Sequence, residues 1–170
     1  GAKSAYFPIH MVDYRKIGEY LKRTNSVMII KMHPFVSNAV KIPEGFEDVF
    51  IDASDYREVN DILFITDVLI TDYSSVIYEM SLLNKPMLFY AFDLKSYVAD
   101  RGFYEPYETM VPGKIVKNVQ EMLKALEEND FEQYKLENFV ERNFTYRDGK
   151  STDRVLELVF GKECLQGAEL

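Results

Sequence analysis

In Asp67-Val-Leu-Ile-Thr-Asp-Tyr-Ser-Ser-Val-Ile-Tyr-Glu-Met80, three kinds of residue succeed one another. Val68, Leu69 and Ile70 form a short continuous apolar run, as expected of a strand buried on both faces. Thr71, Asp72, Tyr73, Ser74 and Ser75 interrupt it with polar, cap-forming types, and Val76, Ile77, Met80 and Leu83 then recur at helical spacing. The pattern predicts strand, tight turn and helix, with Asp72 or Ser74 as N-cap. A helix start at the carboxyl end of a parallel strand offers free backbone N–H groups and a positive dipole end, which suits phosphate. Ser74 and Ser75 add hydroxyl donors. Glu79 lies four residues after Ser75 on the same helix face, where a carboxylate can accept hydrogen bonds from ribose hydroxyls. The plainer reading is that Asp-x-Ser-Ser is only a helix cap.

A second strand end resembles the first in kind. Val27-Met-Ile-Ile30 reads as a buried strand and runs into Lys31-Met-His-Pro34, where Pro34 stops it. Lys31 and His33 thus stand at a strand's carboxyl end, on the same crevice as the turn at 72–75. Lysine neutralises phosphate oxygens as a point charge, and histidine donates to them or exchanges a proton near neutral pH. The plainer reading of His33 is a strand cap bonded to a carbonyl. His10 lies in the lead-in with no partner pattern.

Around these junctions, strands and helices alternate. Residues 14–21 predict a short amphipathic helix, 49–51 a strand, 56–64 a helix and 87–90 another buried strand. Asp93 just past that strand reads as a cap of a short helix over 94–100. Residues 101–108, aromatic and polar with Gly102 and Pro106, read as a loop free to move. An edge strand at 114–116 and helices over 118–126, 131–139 and from Ser151 or Thr152 complete the pattern. Each strand being a continuous apolar run, the fold class is α/β: a Rossmann-like parallel sheet with helices on both faces. Right-handed crossovers then put Lys31, His33, the turn at 72–75 and Asp93 along one sheet edge. The domain reading is a lead-in over 1–12, a nucleotide-binding domain over 13–160 and a tail over 161–170.

At 170 residues the chain makes one domain of ordinary size. A net charge of −8 argues against a nucleic-acid surface. Cys164 is the single cysteine, so no disulfide forms within the chain and no cysteine-based metal site is expected. No apolar run approaches the roughly 18 residues that span a bilayer, and no signal-peptide pattern is present.

Lys31-Met-His-Pro34, Thr71-Asp-Tyr-Ser-Ser75, Asn84-Lys85-Pro86 with a strand after it, Pro112-Gly113, and Asp148-Gly-Lys150 before a final helix form an ordered set. This set resembles the CDP-glycerol glycerophosphotransferase family, the teichoic acid primases and polymerases, from about residue 20 to 160. The resemblance implies the C-terminal, donor-binding domain of a GT-B enzyme. It implies CDP-glycerol or CDP-ribitol as donor, attack by an acceptor hydroxyl on the phosphorus beside the glycerol, and release of CMP, with no metal and no further cofactor. It carries substrate binding onto Lys31, Met32, His33, Ser74 and Ser75; Asp72 and Tyr73 of the same turn are read as substrate-binding with them, His33 as catalytic, and Glu79 on ribose is inferred from position.

The resemblance also implies a lipid-linked acceptor held by an N-terminal domain, with the intact protein cytoplasmic and peripheral at the inner face of the membrane. Homo-oligomerisation stays open. In the family an upstream strand ending in a Pro-Thr-Trp/Phe-Arg type motif precedes the first helix. That strand and the acceptor domain are not among these residues, so the chain alone is expected to bind cytidine nucleotide weakly and not to catalyse transfer. Two other readings compete. One is a UDP-sugar glycosyltransferase or epimerase domain of the same architecture; the other is a non-catalytic Rossmann-like interaction module.

Overall fold

The computed structural model describes residues 12–33 and 40–161. The lead-in over 1–11 with His10, residues 34–39 with Pro34, and the tail from 162 with Cys164 lie outside the described residues. The strands are β1 (Met28–Ile30), β2 (Phe50–Asp52), β3 (Leu69–Thr71), β4 (Met87–Tyr90) and β5 (Lys114–Val116). Helix α1 (Tyr14–Thr24) precedes β1, α2 (Val59–Ile65) and α3 (Val76–Leu82) flank β3, and α4 (Leu94–Asp100) and α5 (Tyr107–Met110) link β4 to β5. Helices α6 (Val119–Glu128), α7 (Tyr134–Asn143) and α8 (Ser151–Phe160) come last.

All pairings are parallel, with Ile29 opposite Ile51, Ile70 opposite Leu88 and Phe89 opposite Ile115. The ladder comes in two pieces, β1-β2 and β3-β4-β5, where the apolar runs predict one sheet. Among the described residues no ladder joins β1 or β2 to β3, β4 or β5.

The core lies on both faces of β4, whose four residues are all buried. Side chains alternate in direction along a strand. Leu88 and Tyr90 therefore join one cluster with Ile17, Leu21, Met122 and Ala125 of α1 and α6. Met87, Phe89 and Ala91 join the other with Leu63, Met80, Tyr107 and Phe139 of α2, α3, α5 and α7. Residues of β1 and β2, Ile30 and Phe50, belong to the first cluster, so one core joins the two ladder pieces.

Several residues of the ordered motif set hold the scaffold. An ideal Cβ on Gly113 would sit 2.4 Å from the carbonyl oxygen of Met87, so only glycine lets β5 lie against β4 at this point. Asn84 takes the left-handed backbone at φ 54°. Lys85 sends its ammonium to the carbonyls of Leu63, Phe64 and Thr66 at 3.3, 2.7 and 2.6 Å. These carbonyls lie at the end of α2, the Leu63 oxygen also accepting from the Thr66 amide, and a positive charge there suits the helix dipole.

The structure departs from the expected pattern in two further places. Helix α2 starts at Val59, later than expected, because Glu58 caps it by accepting from the Asn60 amide, while the Tyr56 hydroxyl donates to Asp61 at 2.9 Å. The segment 101–108 is not a free loop. Phe103 and Tyr107 pack against each other, 5.1 Å between centroids, and Tyr107 is 2% exposed. Among the described residues no helix is long and apolar enough to cross a membrane.

Gly113→Ala is expected to destabilise the domain by about 1–3 kcal/mol, since backbone must shift to admit the methyl group. Chemical denaturation checks this; an unchanged midpoint refutes the close-approach account. Lys85→Met keeps the aliphatic stem and removes the donors. It is expected to cost about 1.5–3 kcal/mol, the range for hydrogen bonds to charged groups, with early loss of amide protection in α2 by hydrogen exchange.

Candidate functional site

The carboxyl ends of β1, β3 and β4 deliver the residues of interest. At the end of β1, Lys31 sends its ammonium to the carbonyls of Ala53, Ser54 and Tyr56 at 3.4, 3.3 and 2.5 Å. An ammonium has three donors, and here all three engage the loop after β2. The Met32 amide donates to Ser54 Oγ on the same loop at 3.3 Å, and the Met32 side chain packs on the first core cluster. Lys31 and Met32 thus shape the β2–α2 loop. His33, one residue on, is exposed. Its charge acts on Asp72 in the direction that favours the carboxylate.

At the end of β3, Asp72, Ser74 and Ser75 are exposed and Tyr73 is half-buried. Ser75 is the N-cap residue of α3 and makes no side-chain capping bond. Ser74 Oγ instead accepts from the Val76 amide at 3.3 Å. Glu79 lies exposed in the first turn of α3. Although Asp72 sits at the surface, protein crowding its carboxyl pushes it above the ordinary aspartate value. Backbone amides of Tyr73 and Asp72 and the charge of His33 pull it back, while Asp93 adds to the rise.

Beneath the turn lies an aromatic cluster. The Tyr73 ring stacks on Tyr97 with centroids 3.7 Å apart and meets Tyr107 edge-on at 5.3 Å. The Tyr73 hydroxyl donates to Asp93 Oδ1 at 2.7 Å. The Tyr107 hydroxyl donates to the carbonyl oxygen of Asp72 at 2.6 Å. Burial, then Asp93, raises the Tyr73 phenol; burial, then Asp72, raises that of Tyr107. Both therefore remain neutral donors through the physiological range. Asp93 occupies the N-cap position of α4, as its place after β4 predicts, yet its side chain makes no capping bond and serves Tyr73 instead.

A cavity of about 200 Å³ opens between the turn at 72–75 and Phe103, Tyr107 and Met110. A larger groove, about 440 Å³, lies elsewhere, against the end of α3 and the start of α7. Tyr97, Phe103 and Tyr107 carry no site reading in the sequence. The density of aromatics in a segment containing Gly102 and Pro106 is the signal that points to them. Among the described residues no group of three or more His, Cys, Asp and Glu side chains is arranged to hold a metal ion.

The arrangement can present hydroxyl donors and one imidazole to an anion at a common edge. Known proteins narrow what this means. The chain is 47% identical over 161 residues to the teichoic acid ribitol-phosphate polymerase TarL of Staphylococcus aureus, covering 95% of this chain and 29% of that protein. It is 36% identical over 133 residues to the teichoic acid glycerol-phosphate primase of Bacillus subtilis, covering 78% of this chain and 34% of that protein. A histidine-to-alanine variant of the wall teichoic acid polymerase TagF superposes with a TM-score of 0.75 at 29% identity, covering all of this chain and 42% of that one. A histidine-to-asparagine variant of TagF soaked with CDPG gives a TM-score of 0.71 at 29% identity, over 94% of this chain and 41% of that one. The chain thus spans about a third of the length of these curated relatives. Residues 2–161 match the CDP-Glycerol:Poly(glycerophosphate) glycerophosphotransferase family, and to that family the chain belongs.

Proposed function

We propose that this chain is the donor-binding domain of a glycerophosphotransferase, taking CDP-glycerol or CDP-ribitol at the edge formed by His33 and the turn at 72–75. The supporting observation is the pair of exposed serine hydroxyls in the turn after β3, with Ser75 making no capping bond, in a chain of this family. Ser74 and Ser75 hold phosphate oxygens of the donor, and His33 is the catalytic residue, offsetting negative charge on the leaving phosphate. Lys31 adds positive field while its donors hold the β2–α2 loop, and Met32 backs that loop. Glu79 accepts from the ribose.

The acceptor hydroxyl attacks the phosphorus next to the polyol. A new P–O bond forms, the bridging P–O bond breaks, and its electron pair leaves on CMP. The hydroxyl proton passes to a base outside this chain. Catalysis of this kind is mostly positioning and electrostatic stabilisation. The acceptor is a lipid-linked polymer bound by the remainder of the longer protein, which works at the inner face of the cell membrane.

Calorimetric titration of the 170-residue chain with CDP-glycerol tests this reading. CMP is expected to compete and UMP not to. Ser75→Ala and His33→Ala are each expected to weaken CDP-glycerol about tenfold, equivalent to about 1.4 kcal/mol, with little change in melting temperature. Ser74→Ala is expected to lose affinity likewise and about 1 kcal/mol of stability with its bond to the Val76 amide. Equal competition by UMP sinks the cytidine assignment; unchanged affinity in all three variants sinks the site.

A further inference from the structure

We propose that Tyr107 and the Tyr73–Asp93 pair are positioning residues that fix the turn at 72–75 in the shape its serine hydroxyls need to receive a phosphate. The inference rests on the donor-binding role proposed for this edge. The turn is pinned at two successive residues and by two different elements. Tyr107 of α5 holds the Asp72 carbonyl, and Asp93 after β4 holds the Tyr73 hydroxyl. Tyr107 is 2% exposed, so no solvent stands ready to replace its hydroxyl. Tyr97 stacks on Tyr73, and Phe103 stacks on Tyr97 at 5.4 Å, closing the ring's freedom from the far side.

The two serines next in the chain are left accessible to a ligand. Ser75 makes no capping bond and both serines are exposed. Packing alone would be satisfied by phenylalanine at 73 and 107, because the rings fill the same space. The hydroxyls add two directional bonds, one ending on the turn at the Asp72 carbonyl and one leaving it from Tyr73 to Asp93, and neither involves α3. Holding a site's geometry before the ligand arrives lowers the ordering cost of binding, and small misplacements of such groups are expensive. Both phenols remain protonated, so the two bonds persist wherever the Asp93 carboxylate and the Asp72 carbonyl accept them.

The test titrates CDP-glycerol into the 170-residue chain and its variants. Tyr107→Phe keeps the ring and is expected to weaken binding about tenfold. Asp93→Ala is expected to do the same, while Asp93→Asn, which still offers an oxygen to the Tyr73 hydroxyl, stays within about threefold of the unsubstituted chain. The Tyr107→Phe/Ser74→Ala/Ser75→Ala variant is expected to bind no more weakly than Ser74→Ala/Ser75→Ala, because Tyr107 acts through those two hydroxyls. A purely structural role would lower the melting temperature of Tyr107→Phe and leave affinity below the melt unchanged, and that result overturns the proposal. So does Asp93→Asn binding as poorly as Asp93→Ala, a comparison that stands even if Tyr107→Phe does not fold. Failure of the unsubstituted chain to bind CDP-glycerol strikes the donor-binding reading instead, and this inference falls with it.

Discussion

Carbonyl oxygens at the ends of short elements need donors, and here two lysines and a tyrosine reach across the fold to supply them. The strands run to three or four residues and α2 and α3 to seven. Such elements have few internal hydrogen bonds and many ends. Lys85 closes the end of α2, Lys31 closes the loop after β2, and Tyr107 holds the carbonyl of the turn after β3. Each bridges segments far apart in sequence. The loops that form this edge are thereby tied to the packed core and not only to their own neighbours.

This tying links an exposed edge to the core. Neither His33 nor Ser75 is buried, and α3 is too short to impose much order by itself. Support comes from below, through the aromatic cluster, and from the side, through the lysine clamp on the β2–α2 loop. Strand β4 is the common support. Its Phe89 ring meets Tyr107 edge-on at 6.2 Å, and its exit carries Asp93 to Tyr73. One strand buried on both faces therefore sets both the core and the geometry of the turn.

The alternation of apolar runs and amphipathic stretches made the α/β class and most elements readable, because strands buried on both faces leave continuous apolar runs. The Asp-x-Ser-Ser turn was legible too, since strand, polar break and helical spacing come within about fourteen residues. The target of Lys31 was not. A lysine after a strand reads as a cation facing ligand, and nothing local reveals that its acceptors are carbonyls more than twenty residues away. Tyr107 was hidden for the same reason. Aromatics among glycine and proline look like a loose loop until the partner that buries them, Tyr73, is known to lie beneath. Gly113 and Lys85 belonged to the motif set that carried the resemblance, yet their part is mechanical: one permits a close backbone approach, the other closes a helix.

The division of the ladder has a bearing on how the polypeptide behaves among its own copies. Among the described residues β1, β2, β3 and β5 each have one ladder partner. A strand edge left uncovered attracts any extended backbone, including the matching stretch of a neighbouring molecule. Association between copies therefore depends on what covers those edges. The net charge of −8 acts in the protective direction, keeping copies apart where strand pairing would draw them together.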